Sequence, residues 1–208
     1  MPRILLNRVS MKKELVNVAG FTLVELMITL VVLAILVSVA IPSFKDTIIR
    51  NSIESQISDL QSSLSYARSE AVSRSTRVSI CRSSNSTSCS SGTSWTDGWI
   101  VFIDNNSAGS HGVVDSGEEI IKVHEALDAG NSLTLSDGAT KDFIQYDSRG
   151  VISGDSALSN GTFSICKPGE SATYARGLIV TVTGRAYRSR DGGGGVHHDH
   201  TGSDLVCS

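Results

Sequence analysis

The sequence lacks the motifs by which most hydrolases and zinc proteins are recognised. None of its serines lies in a Gly-x-Ser-x-Gly turn, which exposes the nucleophile of α/β-hydrolases. No two of its four cysteines have the two-residue spacing that is typical of zinc ligands. Three of the five histidines lie in a glycine-rich tail, which would hold a catalytic geometry poorly. We therefore expect no enzyme activity, no resident metal and no cofactor.

One long segment lacks charge. Residues 26–44 include no Asp, Glu, Lys or Arg, and most of them are aliphatic. As a helix, this segment is long enough to cross the hydrocarbon layer of a bilayer. Glu25 stands directly before it, where a charge is expensive. We therefore interpret Glu25 as a functional residue whose carboxylate needs a partner.

A cut between Gly20 and Phe21 would supply that partner. The new α-amino group would be a cation near neutral pH. It would lie one helical turn from the Glu25 carboxylate of a neighbouring copy. The pattern thus predicts that the apolar segment leaves the lipid and packs against segments of its own kind.

The motif Gly-Phe-Thr-Leu-Val-Glu at residues 20–25, followed by the apolar run, resembles the class III prepilin signal of type IV pilins and type II secretion pseudopilins. The resemblance implies cleavage after Gly20 by a prepilin peptidase, N-methylation of Phe21, and a role for Glu25 in guiding assembly into a helical filament. It also implies, as partners, other pilins or pseudopilins and an inner-membrane assembly platform. The alternative is an ordinary secretory signal, but its cleavage site would follow the apolar run.

The residues before this motif are basic. Four cations outweigh a single acid, Glu14; they are Arg3, Arg8, Lys12 and Lys13. This excess predicts a cytoplasmic N-terminus, a single pass through the inner membrane and a periplasmic C-terminal part, which later joins a pilus or pseudopilus. Met11 opens a compact basic leader of its own, so we expect translation to begin there rather than at Met1.

The pattern after the apolar run predicts an α+β fold like that of type IV pilins. Apolar residues recur at helical spacing at positions 49, 53, 57, 60, 64 and 71, so one helix should continue to about residue 74. Beyond it, short β-forming runs separated by turn residues predict a mostly antiparallel sheet, several strands of which have one wet face. The predicted strands are 77–81, 99–103, 119–123, 132–135, 143–146, 162–166 and 178–183.

We expect four segments: a leader (1–20), the transmembrane half of the helix (21–44), its amphipathic half (45–75) and a periplasmic β-rich domain (76–208). Motifs of the last segment occur at residues 81–82, 95–104, 115–121, 161–166 and 182–185. In order and spacing they are similar to the pseudopilin H / fimbrial T domain, which minor pseudopilins of type II secretion share with minor pilins of type IV pili.

The four cysteines all lie in the exported part, where the compartment is oxidising and favours disulfides. Three pairings are possible. We favour Cys81–Cys89 and Cys166–Cys207, because each pair closes a segment that otherwise lacks packing residues. A metal site is the alternative.

Two other clusters offer ligand-type side chains. Asp104, Asn106, Asp115 and Glu118 have oxygens suited to calcium, and the tail carries His-His-Asp-His at residues 197–200. Neither has the spacing of a recognised metal loop. Solvated turns explain the first cluster, and a flexible loop explains the second.

Arginines near the C-terminus suggest a possible second function. Arg176, Arg185, Arg188 and Arg190 fall in a stretch without acids, and tyrosines lie among them. Such groups bind phosphates and stack on bases. The sequence Gly-Arg-Ala-Tyr-Arg at 184–188 resembles the Gly-Arg-x-Arg motif of DNA-binding fimbrial T-like pilins, with the second arginine one position late. On a strand, Arg185 and Arg188 would then face opposite ways. The alternative is a solvated edge hairpin whose charges prevent aggregation.

The net charge argues against nucleic-acid binding over the whole surface. The formal charge is −3, and the leader holds four of the 18 Lys and Arg and one of the 21 Asp and Glu. The processed chain therefore carries 14 cations against 20 acids, a net charge of −6. Two hypotheses follow: a structural minor subunit that primes or caps a type IV pilus or secretion pseudopilus, and a DNA receptor for natural transformation.

Overall fold

The first element is a single long helix, α1, which spans Leu23–Arg74 and agrees with the predicted helix. The structure is a computed structural model, and it describes residues 20–92, 94–105, 110–136, 142–153 and 160–205. Residues 1–19 of the leader, with its two candidate start sites, therefore lie outside the described residues. The chain divides into two compact units, Met1–Phe44 and Lys45–Ser208, and α1 contributes to both.

The described part of the first unit consists of residues 20–22 and the apolar portion of α1. This portion is long and apolar enough to cross a bilayer. Its large apolar side chains are exposed on every face of the helix. Two hydroxyl side chains donate to carbonyls of the preceding turn, Thr29 to Leu26 O at 2.8 Å and Ser38 to Ile35 O at 2.7 Å. Both are thereby satisfied without water, as a bilayer requires.

The second unit packs the rest of α1 against two antiparallel sheets. The strand order is β3-β2-β1-β5 in the first sheet and β4-β6-β7-β8 in the second. The predicted α+β fold is confirmed, and each of the seven predicted strands is present with small shifts at its ends. The strands of the described residues are β1 Val78–Arg82, β2 Trp99–Ile103, β3 Ile120–His124, β4 Ser132–Ser136, β5 Phe143–Tyr146, β6 Asn160–Cys166, β7 Arg176–Thr181 and β8 Ala186–Arg188.

The main core lies between α1 and the inner faces of both sheets. The predicted stripe of α1 is buried, and Ile53, Ile57, Leu60 and Leu64 have no exposed surface. Burying one such side chain contributes about 1.5–3 kcal/mol. Within this core, Trp95 of a loop and Phe163 of β6 meet edge to face, with ring centroids 5.0 Å apart.

A second, smaller core covers the opposite face of the first sheet. Because side chains alternate along a strand, Cys81, Ile100 and Phe102 point away from α1. They are nevertheless buried, in a cluster that also includes Val114 and Phe143. The expectation of a wet outer face is therefore wrong for the centre of this sheet, where loops provide the cover.

The short edge strand β8 is not among the seven predicted strands, but with β7 it forms the edge hairpin that was the alternative interpretation of the arginine-rich segment. Its three residues follow a turn in which Gly184 adopts a φ of 76° and its N–H donates to Thr181 O at 2.8 Å. A Cβ on Gly184 would lie 2.2 Å from the carbonyl oxygen of Gly150, so this close approach requires glycine. The turn places β8 antiparallel to β7, along the outer edge of the second sheet.

Candidate functional site

The start of α1 is closed by a reciprocal cap between Thr22 and Glu25. The Glu25 backbone N–H donates to Thr22 Oγ1 at 3.2 Å, and the Thr22 N–H donates to Glu25 Oε2 at 3.5 Å. This is a capping box, which satisfies donors that the first turn of a helix otherwise leaves unpaired. Sequence reasoning selected Glu25 for its charge but missed Thr22, although the Thr-x-x-Glu spacing was a usable signal.

The cap directs the carboxylate of Glu25 back toward the processing motif. Gly20 and Phe21 precede the helix, and the Phe21 side chain is 85% exposed. Glu25 is also exposed within the single copy, at the positive end of the helix dipole, which stabilises an anion there. An exposed carboxylate beside an exposed apolar helix is a chemical arrangement suited to a cationic partner from another molecule.

The Cys81–Cys89 disulfide is confirmed, and it joins β1 to the hydroxyl-rich loop that follows. The loop is further held by Asn85, whose Oδ1 accepts from the N–H groups of Thr87 and Ser88 at 3.0 and 2.9 Å. Cys81 is fully buried in the smaller core. The bridge therefore fastens a loop without large apolar residues to the packed sheet.

The second predicted disulfide, Cys166–Cys207, remains a prediction. Cys166 ends β6 and is buried against Ala175 and Leu205. It forms no disulfide with any other described residue. Cys207 lies outside the described residues. Leu205, two residues before Cys207, is buried next to Cys166.

Two members of the predicted oxygen cluster, Asp104 and Glu118, serve as hydrogen-bond acceptors. Asp104 is fully buried, and the N–H of Gly112 donates to its Oδ2 at 2.9 Å. Glu118 accepts from the backbone N–H of Asn105 at 3.0 Å and from that of Asp115 at 2.9 Å. Within the described ranges, no three His, Cys, Asp or Glu side chains are grouped so as to hold a metal ion, and Asn106 lies outside them.

One buried cluster contains serine, histidine and aspartate but lacks the connectivity of a catalytic triad. Ser79 donates to Asp104 Oδ2 at 2.6 Å rather than to a histidine, and it has no exposed surface. His111 places Nδ1 3.2 Å from Asp104 Oδ1 and Nε2 2.7 Å from Nη1 of Arg77. The nitrogen that would accept a serine proton thus faces a guanidinium, which only donates.

The histidine tail is folded, so the expectation of a flexible loop is corrected. His198 Nε2 lies 2.9 Å from Asp204 Oδ1, and the His200 N–H donates to Thr162 Oγ1 at 2.9 Å. Leu205, near the end of the tail, is buried. Short polar bonds and one apolar anchor therefore order a glycine-rich sequence that lacks hydrophobic periodicity.

The predicted phosphate-binding arginines do not form one free patch. Arg188 donates to the Glu54 carboxylate and, through Nη2, to Ser58 Oγ at 2.6 Å. Arg176 also approaches Glu54, with Nε 3.7 Å from Oε2. In contrast, the exposed Arg185 and Arg190 make no side-chain hydrogen bond or ion pair with the described residues. DNA binding through these arginines therefore remains a prediction.

Comparisons with known proteins agree with this architecture. Residues 56–184, more than half of the chain, match the family model described as Type II transport protein GspH. Residues 16–41 match the model of the prokaryotic N-terminal methylation motif. A search of the curated proteins gives no match.

The solved structures that are similar to this chain include those of two proteins. The crystal structure of the type IV minor pilin FimU of Pseudomonas aeruginosa has 22% sequence identity and a TM-score of 0.50, over 68% of this chain and 90% of that chain. The minor pseudopilin EpsH from the Type 2 Secretion System of Vibrio cholerae has 12% identity and a TM-score of 0.46, over 66% of this chain and 95% of that chain. On the match over residues 56–184, the chain belongs to the GspH family of minor pilins and pseudopilins, structural subunits of type IV pili and type II secretion systems.

Proposed function

We propose that this chain is a non-enzymatic minor subunit that assembles through α1 into a type IV pilus or a type II secretion pseudopilus, with a priming or tip role. The observation that carries the proposal is the apolar portion of α1. It exposes apolar side chains on every face and begins at a carboxylate that is itself exposed. Such a helix is stable in lipid or packed among similar helices, and a filament provides the second environment.

The proposal includes the processing steps that the motif implies. A prepilin peptidase cleaves after Gly20, and Phe21 becomes the N-methylated first residue. Before assembly the chain spans the inner membrane at residues 21–44, with a cytoplasmic N-terminus. Its segment 45–75 and its β-rich domain, 76–208, lie in the periplasm, and an inner-membrane platform inserts the subunit into the filament.

Glu25 is the residue to which we assign the assembly contact. The capping box holds its carboxylate at the N-terminal end of the helix, where the α-amino group of a neighbouring subunit would meet it. A carboxylate among apolar helices is costly unless it is paired. This contact therefore favours the register between neighbouring α1 helices in which the carboxylate and the α-amino group meet.

The experiment that tests the proposal is a determination of the N-terminus of the chain in isolated filaments. Filaments are sheared from cells, and the chain in this fraction is analysed by mass spectrometry. We expect a chain that begins at methylated Phe21. A strain without prepilin peptidase is the control, and its chain should keep the leader and stay in the membrane. A chain that keeps its leader in the normal strain, or one cut after the apolar run, would contradict the proposal.

A further inference from the structure

A groove beside α1 is lined by hydrogen-bond donors. It has a volume of about 500 Å³ and lies between the helix and the turn that joins β7 to β8. The helix contributes Leu64 and the polar residues discussed below, and the turn contributes Gly184 and its neighbours. The polar side chains that line it are Ser65, Arg68, Ser69, Tyr146, Arg185 and Tyr187.

These donors have few acceptors within the protein. Arg68 donates from Nε to Gly150 O at 2.7 Å, which fixes its guanidinium at one wall and leaves both terminal amino groups unused by the described residues. The side chains of Ser65, Ser69 and Arg185 make no hydrogen bond with the described residues. Donors without acceptors are common on a protein surface, but here they converge on one concave site.

Tyr146 lies in the wall of the groove, with its hydroxyl buried behind the surface. Its hydroxyl is inaccessible to solvent and has no hydrogen-bond partner among the described residues. Burial raises the pKa of this phenol, so the hydroxyl remains protonated and can only gain from an acceptor. A buried polar group without a partner costs free energy, so the wall of the groove at Tyr146 has no acceptor to offer the neighbouring guanidinium groups.

The charge of the groove selects an anion. The described residues that line it include two arginines and no Asp or Glu. Elsewhere in the domain, arginines are neutralised by carboxylates, as Arg149 is by Asp147 at 2.7 Å and Arg188 is by Glu54. Arg68 and Arg185 have no such partner among the described residues, although guanidinium groups pair readily with carboxylates.

We propose that this groove binds an aspartate or glutamate side chain of a neighbouring filament subunit. The inference rests on the proposed function, because one wall of the groove is α1, the element through which assembly is proposed. A protein carboxylate fits better than a nucleic-acid backbone for two reasons. The processed chain is acidic, at −6, and Arg188, which would extend the basic surface, is already paired with Glu54.

The test replaces one arginine by an amine that can be captured. Filaments with Arg185→Lys as the sole copy are treated with a carbodiimide, which joins an amine to a carboxylate in direct contact. We expect an amide link from position 185 to an Asp or Glu of another subunit, identified by peptide mapping. Wild-type filaments should lack this link. Filaments with Arg190→Lys, a matched change outside the groove, should show no amide link from position 190.

A second variant tests whether the contact contributes to assembly. Arg185→Glu should reduce the filament-bound fraction of the chain several-fold, whereas Arg190→Glu should leave it near the wild-type value. Filaments that contain Arg185→Lys without any such link would overturn the inference and leave the proposed function intact. Absence of the wild-type chain from filaments would overturn both.

Discussion

Arg188 of the edge strand β8 donates hydrogen bonds to the carboxylate of Glu54 and to Ser58 Oγ, which lie one turn apart on α1. A third contact, from Nε to Gln61 Oε1, is longer, at 3.4 Å. These bonds fasten the last strand of the second sheet to the helix. The Glu54 carboxylate also compensates the positive charge of Arg188. Arg188 therefore has a structural role and does not belong to a free basic surface.

We predict that Arg188→Ala lowers the free energy of unfolding by about 1 kcal/mol, because a partly exposed ion pair and a hydrogen bond to a hydroxyl are lost. Arg185→Ala, which removes an arginine without such partners, should leave it unchanged. Denaturant unfolding of the full chain in detergent measures both variants. Equal losses for the two variants would contradict the structural role of Arg188.

DNA binding is tested with the same two residues. If the chain binds DNA through phosphates, affinity falls steeply with salt, and Arg185→Ala and Arg188→Ala each weaken binding and flatten that slope. From the pairing of Arg188 with Glu54, we expect no micromolar binding at physiological salt. Titration of the full chain into labelled duplex and single-stranded DNA measures this. Tight binding that both substitutions abolish would establish the DNA-receptor hypothesis instead.

The disulfides give a prediction about stability and one about connectivity. Replacing Cys81 and Cys89 together by Ala should lower the free energy of unfolding by about 2–3 kcal/mol in the loop-entropy model, because the unfolded chain loses a constraint. Peptide mapping of the non-reduced protein should show Cys81–Cys89 and Cys166–Cys207. A link between Cys89 and Cys166 would contradict both pairings.

Asp147 gives a pH-dependent prediction. Burial works against ionisation, but hydrogen bonds from Arg149 and Val151 outweigh it and hold the pKa of Asp147 below its usual value. The ionised Asp147 carboxylate therefore contributes fully to the free energy of unfolding above the ordinary carboxyl pKa of about 4. This contribution is lost as pH falls through the lowered pKa.

The variant Asp147→Asn keeps one acceptor oxygen but loses the charge. At neutral pH we expect it to be less stable than the wild type by about 1 kcal/mol. This difference should shrink as both proteins are taken to acidic pH, which denaturant unfolding across a pH series measures. A difference that stays constant down to strongly acidic pH would show that the carboxylate charge contributes nothing.

Sequence reasoning succeeded where one strong pattern decides the structure. The charge-free run after Glu25 and the stripe from Ile49 to Ala71 predicted α1, because a 52-residue helix is specified by many residues at once. The strands were predicted because β-branched and aromatic runs such as Trp99–Ile103 stand between clear turn residues.

Sequence reasoning was weaker where contacts between distant residues determine the local structure. Strand β8 has three residues, too few for periodicity, so an edge hairpin here was only one of two interpretations. Contacts at a distance decide it, because Arg188 reaches α1 and Gly184 permits a close approach. The outer face of the first sheet is dry because loops cover Ile100 and Phe102, which no local pattern indicates. The histidine tail is ordered by single bonds to distant residues such as Thr162.

The central claim is that the charge of Glu25, held by its cap with Thr22, directs assembly. The most direct measurement compares Glu25→Ala and Glu25→Gln, each as the sole copy, by the fraction of the chain recovered in sheared filaments. Glutamine can still accept the Thr22 N–H, so it preserves the cap and removes only the charge. We predict normal insertion and cleavage for both variants, with a strong loss of incorporation for both. Incorporation of Glu25→Ala at the wild-type level would contradict the claim, and recovery by Glu25→Gln alone would assign Glu25 to the cap instead of the assembly contact.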